Sequence, residues 1–232
     1  MAGAAGRLGE ALLAEVVSSP RYQDVTVVTE GSLGSTVGGL KGAMLAELQQ
    51  ASSKAIRFPA PEDAEPELDV FVCWGDAMDP LGRLQNRRDA IYTEVTDAVG
   101  LRAVAAVAAA MRARRFLLLA PLLAWQQVSA AGRMLPEAME MELARLPIPT
   151  IVILRPTTER QHAVPAGMSR LQRFSRFYLS QLRFMLPAVT HSLRSSDIAR
   201  AALSVMATAE RPGLTVVPLD QIRQHAGKPS LP

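Results

Sequence analysis

Short apolar runs alternate with longer stretches of helical periodicity along this 232-residue chain. The strand-like runs are nearly continuous in apolar residues, which is typical of parallel strands buried on both faces. They cover Val25–Thr29, Asp69–Trp74, Arg115–Leu122, Thr150–Pro156 and Thr215–Leu219, with Ala55–Phe58 as a weaker sixth. Helical periodicity covers Arg7–Ser18, about Leu40–Ala51, Asn86–Arg114, Pro136–Leu146 and Ser196–Ala209. This alternation predicts an α/β fold with a parallel sheet.

One long segment, Thr157–Arg194, breaks the alternation. We expect it to form a small helical cap over the carboxyl ends of the strands. The predicted organisation is a core over residues 1–156, a cap over 157–195, and a C-terminal helix and strand over 196–232 that complete the core. Within the cap, Leu171, Phe174 and Tyr178 share one face of a helix, and arginines lie on the other side. That arginine face is either solvated or a surface for an anionic partner or lipid headgroup, and the first interpretation is favoured because such faces are common on soluble helices.

Composition narrows the class of protein. The net charge is only +3, so the basic pI near 9.4 does not indicate nucleic acid as a partner. Cys73 is the single cysteine, which excludes an intramolecular disulfide and favours a reducing compartment. The longest charge-free run, Phe116–Gly132, contains Pro121 and two glutamines and is too short and polar to span a bilayer. We expect a soluble, cytoplasmic protein without a membrane partner.

The chain opens with three glycines at a spacing of three, Gly3, Gly6 and Gly9, directly before an amphipathic helical run. Such a turn brings backbone N–H groups at a helix start close to a phosphate, and the helix dipole adds partial positive charge there. Glu30 follows about 20 residues later, after a β-run, where an acid can hold a ribose hydroxyl. The pattern predicts a dinucleotide site. The alternative is a glycine-rich N-terminus that merely packs tightly.

The chain resembles a known family, the atypical short-chain dehydrogenase/reductases, in particular their NmrA-like and Tat-interacting oxidoreductase-like branch. The resemblance covers nearly the whole chain. It is carried by GAAGRLGEALL, DVTVVT, DVFVCWG, RRFLLLAP, TIVILRP and SSDIARAAL. It implies a doubly wound Rossmann-type sheet with strand order 3-2-1-4-5-6 and a dinucleotide lying across the switch point.

The resemblance also assigns cofactor-binding positions. Those of the phosphate loop are Gly3, Gly6, Arg7, Leu8 and Gly9. Thr29 and Glu30 match the position that reads the adenosine ribose, Trp74 and Gly75 lie beside the adenine and ribose, and Pro156 and Thr157 lie near the nicotinamide. Because Glu30 would repel a 2′-phosphate, NAD is preferred to NADP as the cofactor.

The family's catalytic groups are missing from this sequence. A typical member uses a tyrosine as proton donor, a lysine four residues on that lowers its pKa, and a serine after the fifth strand. No tyrosine here has a lysine at that spacing. The matching positions are Gly132 for the tyrosine, Pro136 for the lysine and Ala120-Pro121 for the serine. We therefore name no catalytic residue.

Other chemistry has little support. The three histidines have no metal-ligand spacing, so no metal site is predicted. Cys73 lies in a predicted buried strand, where a small hydrophobic role is expected. Two hypotheses remain. The protein is oxidoreductase-like without the usual catalytic set, or it is a non-catalytic nucleotide-sensing or protein-interaction module with a vestigial site and a protein partner or second copy.

The central first strand of such a sheet is absent from the pattern, since only Met1 and Ala2 precede the glycine turn. Without it, the neighbouring strands would leave unpaired backbone groups in the core. We expect a chain that begins upstream of Met1, and, in this chain, a gap or a rearranged sheet at that position.

Overall fold

The computed structural model describes residues 1–4, 6–29, 40–53, 68–74, 95, 98–121, 137–156 and 193–227. Strands and helices alternate through these ranges. The strands are β1 (Val25–Thr29), β2 (Leu40–Met44), β3 (Asp69–Cys73), β4 (Arg115–Leu119), β5 (Thr150–Leu154) and β6 (Gly213–Val217). The helices are α1 (Gly6–Ser18), α2 (Leu45–Ser53), α3 (Ala98–Ala110), α4 (Glu137–Ala144), α5 (Ser195–Thr208) and α6 (Leu219–His225).

Every paired strand runs parallel to its neighbour. β1 pairs with β2, and β3, β4, β5 and β6 pair in that order. The residues of β4 and β5 are all buried because helices cover both faces of the sheet there. This explains the apolar residues that follow Arg115 in β4 and Thr150 in β5 without interruption. The described residues form a Rossmann-type α/β fold.

Met1 and Ala2 join the two ladders at the centre. The Val28 amide donates to the Met1 carbonyl at 2.8 Å, and the Met1 ammonium donates to the Thr26 carbonyl. On the other side, the Ala2 amide donates to the Phe71 carbonyl at 2.9 Å, and the Cys73 amide donates to the Ala2 carbonyl at 3.0 Å. Counted as the first strand, this pair of residues gives the expected order 3-2-1-4-5-6, with β6 as a seventh strand. The expectation of a gap or a rearranged sheet is wrong at these two residues, because their backbone groups pair with both neighbours.

Two apolar clusters lie on the two faces of the sheet. One contains Leu12 and Val16 of α1 together with Ile198 and Val205 of α5. The other is built on α3 and α4; its helix residues are Leu101, Val104, Ala105, Ala108, Met139 and Leu143. The spacing of these residues places each set on one stripe of its helix, as the periodicity predicts. None of the helices among the described residues is both long and apolar enough to cross a membrane.

Most predicted elements are confirmed within a few residues. The strand at Val25–Thr29 is confirmed with both ends correct, and the strands predicted from Asp69, Arg115 and Thr150 begin as expected. The last strand was predicted over Thr215–Leu219, but it ends at Val217 because Pro218 has the extended backbone that begins α6. The helix α6 was not predicted.

The segment Leu40–Ala51 was predicted as one helix, and this is wrong for its first part. Residues 40–44 form β2, in register with β1 from Val25↔Leu40 to Thr29↔Met44. Lys41 and Gly42 interrupt the apolar run that would signal a strand, and β2 carries them because it is only partly buried. The predicted strand Ala55–Phe58, the start of the helix predicted over Asn86–Arg114 and the cap over 157–192 lie outside the described residues.

A buried polar network closes the amino end of the sheet. Arg115 donates to both carboxylate oxygens of Asp69, each at 2.7 Å, and to the Met206 carbonyl of α5 at 2.8 Å. The Tyr22 hydroxyl donates to Asp69 at 2.9 Å, and its ring meets the Phe71 ring edge to face. Burial, and then the nearby Asp69 charge, raise the pKa of Tyr22. The network connects β3, β4, α5 and the segment before β1.

Candidate functional site

The candidate site lies at the carboxyl edge of the sheet, where the chain leaves the central strand. Met1 and Ala2 lie between β1 and β3, and the glycine turn follows them directly into α1. The strand order reverses at this point, since β1 and β2 continue to one side and β3 to β6 to the other. Ligands of open α/β sheets bind in the crevice outside such a switch point.

Gly3 is required by the turn itself. Its φ is +72°, a conformation that side chains disfavour. A Cβ atom built there would lie 2.1 Å from the Cys73 carbonyl oxygen. Any side chain at this position would therefore push the turn away from β3.

Gly9 and Gly6 have different roles. A Cβ atom on Gly9 would lie 2.3 Å from the Gly3 carbonyl oxygen and 2.7 Å from the Ala4 carbonyl carbon. Gly9 thus lets α1 pack against the turn that begins it. Gly6, the first residue of α1, has a φ of +71° and is partly exposed.

Thr29 adds a polar group at the end of β1. It is 1% exposed, and its hydroxyl oxygen has no hydrogen-bond partner within the described part of the chain. By strand alternation it lies on the same face as Val25 and Val27, which pack in the cluster that contains α1. Leaving a buried hydroxyl unsatisfied costs about 1–3 kcal/mol. Its place fits a residue that hydrogen-bonds to a ligand at this edge.

The other predicted site residues are distributed along the same edge. Arg7 is exposed on the first turn of α1, whereas the Leu8 side chain packs partly against the core. Trp74 follows β3 and is buried in the cluster with α3. Pro156 is buried, two residues after the end of β5. The predicted positions Glu30, Gly75 and Thr157 lie outside the described residues.

The serine position of the resembled family has no hydroxyl. The resemblance matches Ala120 to this serine, and Ala120 is buried directly after β4, with its amide donating to the Leu154 carbonyl at 2.9 Å. Tyr22 lies at the opposite end of the sheet with Asp69, too far away to act as an acid here. The sequence leaves Tyr178 and His191, in the predicted cap, as the plausible substitutes for the proton donor. These two residues, and the positions of Gly132 and Pro136, lie outside the described residues.

Cys73 is buried at the end of β3, as expected for a small hydrophobic residue. Burial raises the pKa of its thiol to about 12. The thiol therefore stays protonated at neutral pH and is not an activated nucleophile.

One ion pair at this edge was not predicted from the sequence. Arg155, the first residue after β5, pairs with Glu140 of α4, and the two side chains are 15% and 17% exposed. Sequence reasoning missed it because the partners are separated along the chain. The ILRP strand end was visible as a motif, but its partner on α4 was not.

The solved structures similar to this chain include two of the enzyme WbmG from Bordetella bronchiseptica. The complex with NAD and UDP is 15% identical with a TM-score of 0.41, and covers 98% of this chain and 86% of that chain. The complex with NAD is 15% identical with a TM-score of 0.43, and covers 98% and 87%. No protein-family model matches the chain, and no curated protein matches it. At this identity and structural overlap, the two complexes establish neither a family nor a ligand for this protein.

Proposed function

We propose that this protein binds a nicotinamide dinucleotide at the glycine turn, with NAD preferred to NADP. The observation that carries the proposal is the turn itself. It combines two glycines that the fold requires, Gly3 and Gly9, with Gly6 at the exposed start of α1. This combination stands at the switch point of a parallel sheet, where a pyrophosphate can accept hydrogen bonds from a helix N-terminus.

The residues present fit such a ligand. Gly6 has no side chain and is partly exposed at the start of α1, and the buried Thr29 hydroxyl supplies a hydrogen-bonding group at the end of β1. The N–H groups at the start of α1 would hold the pyrophosphate, with Arg7 adding positive charge. Thr29 and Glu30 would hold the adenosine ribose, Trp74 and Gly75 the adenine side, and Pro156 and Thr157 the nicotinamide side.

A bound nicotinamide dinucleotide accepts or donates a hydride. A carbonyl reduced by that hydride also needs a proton, and general acid help is worth about 10²–10⁴ in rate. Ala120 and Pro121 have no hydroxyl to polarise a carbonyl, and Gly132 and Pro136 carry no titratable group. The site is therefore proposed as oxidoreductase-like, of the atypical short-chain dehydrogenase/reductase type, with its serine, tyrosine and lysine lost.

A second candidate is a non-catalytic nucleotide sensor. The buried Ala120 favours it, because the position that would polarise a substrate carbonyl is apolar. Both candidates require an occupied glycine turn. They differ in turnover, which an assay of NADH oxidation with a panel of aldehydes and ketones measures.

The binding test is a calorimetric titration of NAD into the wild-type chain and two alanine variants. Gly6→Ala adds a Cβ where the pyrophosphate would approach. Gly227→Ala is the matched control, because Gly227 also has a φ of +71° but its added Cβ meets nothing within 4 Å. Both variants thus place alanine in a disfavoured conformation, and only the first alters the site.

We expect NAD to bind the wild type and Gly227→Ala with similar affinity. Gly6→Ala should bind about ten- to a hundred-fold more weakly, as expected for the loss of hydrogen bonds to a charged phosphate. Absence of NAD binding to the folded wild type, or equal affinity in the two variants, would refute the proposal.

A further inference from the structure

The ion pair Glu140–Arg155 lies at the carboxyl edge of the sheet, next to the end of β5. We propose that Arg155 binds an oxyanion of a second ligand, a carboxylate or a phosphate, and that Glu140 occupies this place when the ligand is absent. The inference rests on the proposed function for its context, since the second ligand would lie beside a bound dinucleotide. It is tested independently of the dinucleotide below.

Position separates Arg155 from the pyrophosphate. The glycine turn follows the strand pair Met1–Ala2, and β3, β4 and β5 follow in order across the sheet. Three strand spacings place the end of β5 about 14 Å from the turn. Arg155 therefore lies at the part of the crevice beyond the proposed pyrophosphate position, where a second ligand would bind.

The chemistry of the pair defines the ligand. A guanidinium binds planar carboxylates and phosphates through parallel N–H donors. Glu140 already presents a carboxylate to Arg155, and a ligand oxyanion would take the place of that carboxylate. A neutral or cationic ligand would leave Arg155 with Glu140.

The surroundings argue against a purely structural pair. Beneath it, Met139, Leu143 and Ile153 form an apolar cluster that needs no charge. A half-buried ion pair loses hydration and contributes little net stability compared with apolar residues. The pair lies at the carboxyl edge of the sheet, where binding of a ligand would account for two charges that packing does not require.

The chain offers a matched control on the same helix. Arg102 of α3 pairs with Glu142 of α4 through two contacts of 2.7 Å and 3.1 Å, but these side chains are 55% and 43% exposed. Solvent screens that pair, and it lies on the outer side of α4. Glu142→Gln thus removes the same charge from the same helix without changing the Arg155 environment directly.

The experiment follows the Arg155 side-chain Nε–H signal by NMR during titrations with sodium acetate and with inorganic phosphate. The signal is assigned by its absence in Arg155→Gln. Titrations are run on the full chain without dinucleotide and repeated with NAD added. The variants are Arg155→Gln, Arg155→Lys, Glu140→Gln and Glu142→Gln.

We expect at least one anion to shift the Arg155 signal to saturation in the wild type. Glu140→Gln should bind it about five-fold more tightly, since a competing charge is removed. Glu142→Gln should match the wild type. In Arg155→Gln and Arg155→Lys, which lack this side-chain signal, binding is followed by the backbone amide signals of Leu154 and of residue 155. Arg155→Gln should bind about ten- to a hundred-fold more weakly than the wild type, as for the loss of a charge-assisted hydrogen-bond pair, with Arg155→Lys between. Response to acetate alone identifies a carboxylate ligand, and response to phosphate alone identifies a phosphate.

No shift of the Arg155 signal with either anion, in the wild type and in Glu140→Gln, overturns the inference. So does equal tightening in Glu140→Gln and Glu142→Gln, which would show a general charge effect. If Arg155→Gln fails to fold, Glu140→Gln and its control still decide. If NAD binds and the Arg155 signal does not respond to either anion, this inference is refuted and the proposed function stands. If the Arg155 signal responds and NAD does not bind, the proposed function is refuted and this inference stands.

Discussion

Replacing Arg115 by methionine should destabilise the protein more than any change to an exposed ion pair. Arg115 and Asp69 are 5% and 1% exposed at the side chain, so water does not compensate for the loss of either partner. The change removes two hydrogen bonds of 2.7 Å to Asp69 and one of 2.8 Å to the Met206 carbonyl. It leaves a buried carboxylate held by Tyr22 alone among the contacts described above. Breaking a buried pair in this way costs about 3–5 kcal/mol.

Two further variants separate the contributions of the Tyr22 hydrogen bond and of the Arg115–Asp69 charges to the free energy of unfolding. Tyr22→Phe removes one hydrogen bond to a charged acceptor, worth about 1.5–3 kcal/mol, and keeps the ring contact with Phe71. The double variant Asp69→Leu with Arg115→Met removes both charges together. It should lie within about 2 kcal/mol of the wild type, because no isolated charge remains buried. The exposed pair Lys41–Asp24 is the control, and Lys41→Met should cost less than about 1 kcal/mol.

Urea unfolding followed by circular dichroism measures these differences. With a slope of roughly 2–3 kcal/mol/M, a loss of about 4 kcal/mol lowers the midpoint by about 1.3–2 M. The reasoning fails if Arg115→Met changes the free energy of unfolding no more than Lys41→Met. It also fails if the double variant is as unstable as Arg115→Met, since the cost would then lie in lost packing and not in the isolated Asp69 charge.

Four other predictions concern the turn and the site. Burial lowers the pKa of the Met1 ammonium from 8.0 to about 5, so the unfolded chain binds more protons between these pH values. For the chain with a free Met1 amine, the free energy of unfolding should therefore rise by about 4 kcal/mol from below pH 5 to above pH 8. Urea titrations at several pH values measure this rise, and acetylation of the amine should remove it. Gly3→Ala should lower the melting temperature more than Gly227→Ala in calorimetric scans, because only the first adds a contact with the Cys73 carbonyl. Glu30→Arg should reverse a preference for NAD over NADP in paired titrations; stronger NADP binding by the unaltered protein would show that Glu30 does not face the ribose. Turnover of NADH with ordinary aldehydes and ketones should be at most trace, and robust activity that Tyr178→Phe or His191→Ala abolishes would contradict this.

The central strands and their helices were predictable because burial on both faces forces a distinctive sequence. After their first residues, Arg115 and Thr150, β4 and β5 are apolar, and no polar residue could occupy their interior positions without a partner. β2 was not predictable in the same way. It is only partly buried, so Lys41 and Gly42 are tolerated, and the helix-like sequence that follows extended the wrong prediction over it.

The site was predictable where backbone geometry dictates residue type. The spacing of Gly3, Gly6 and Gly9 reflects a positive φ, a close approach to β3 and helix packing, all of which exclude a side chain. Contacts between side chains that are distant along the chain do not require one residue type in the same way, so the sequence does not reveal them. The Glu140–Arg155 pair and the burial of the Thr29 hydroxyl depend on which face each residue occupies, and that is known only once the strands are assembled.

A crystal structure of the protein grown with NAD tests the central claim most directly. The account predicts the pyrophosphate at the start of α1, with its oxygens accepting hydrogen bonds from backbone N–H groups between Gly6 and Leu8, and a ribose hydroxyl near Thr29. A dinucleotide bound elsewhere on the molecule, or crystals grown at saturating NAD in which this turn holds no ligand, would contradict it.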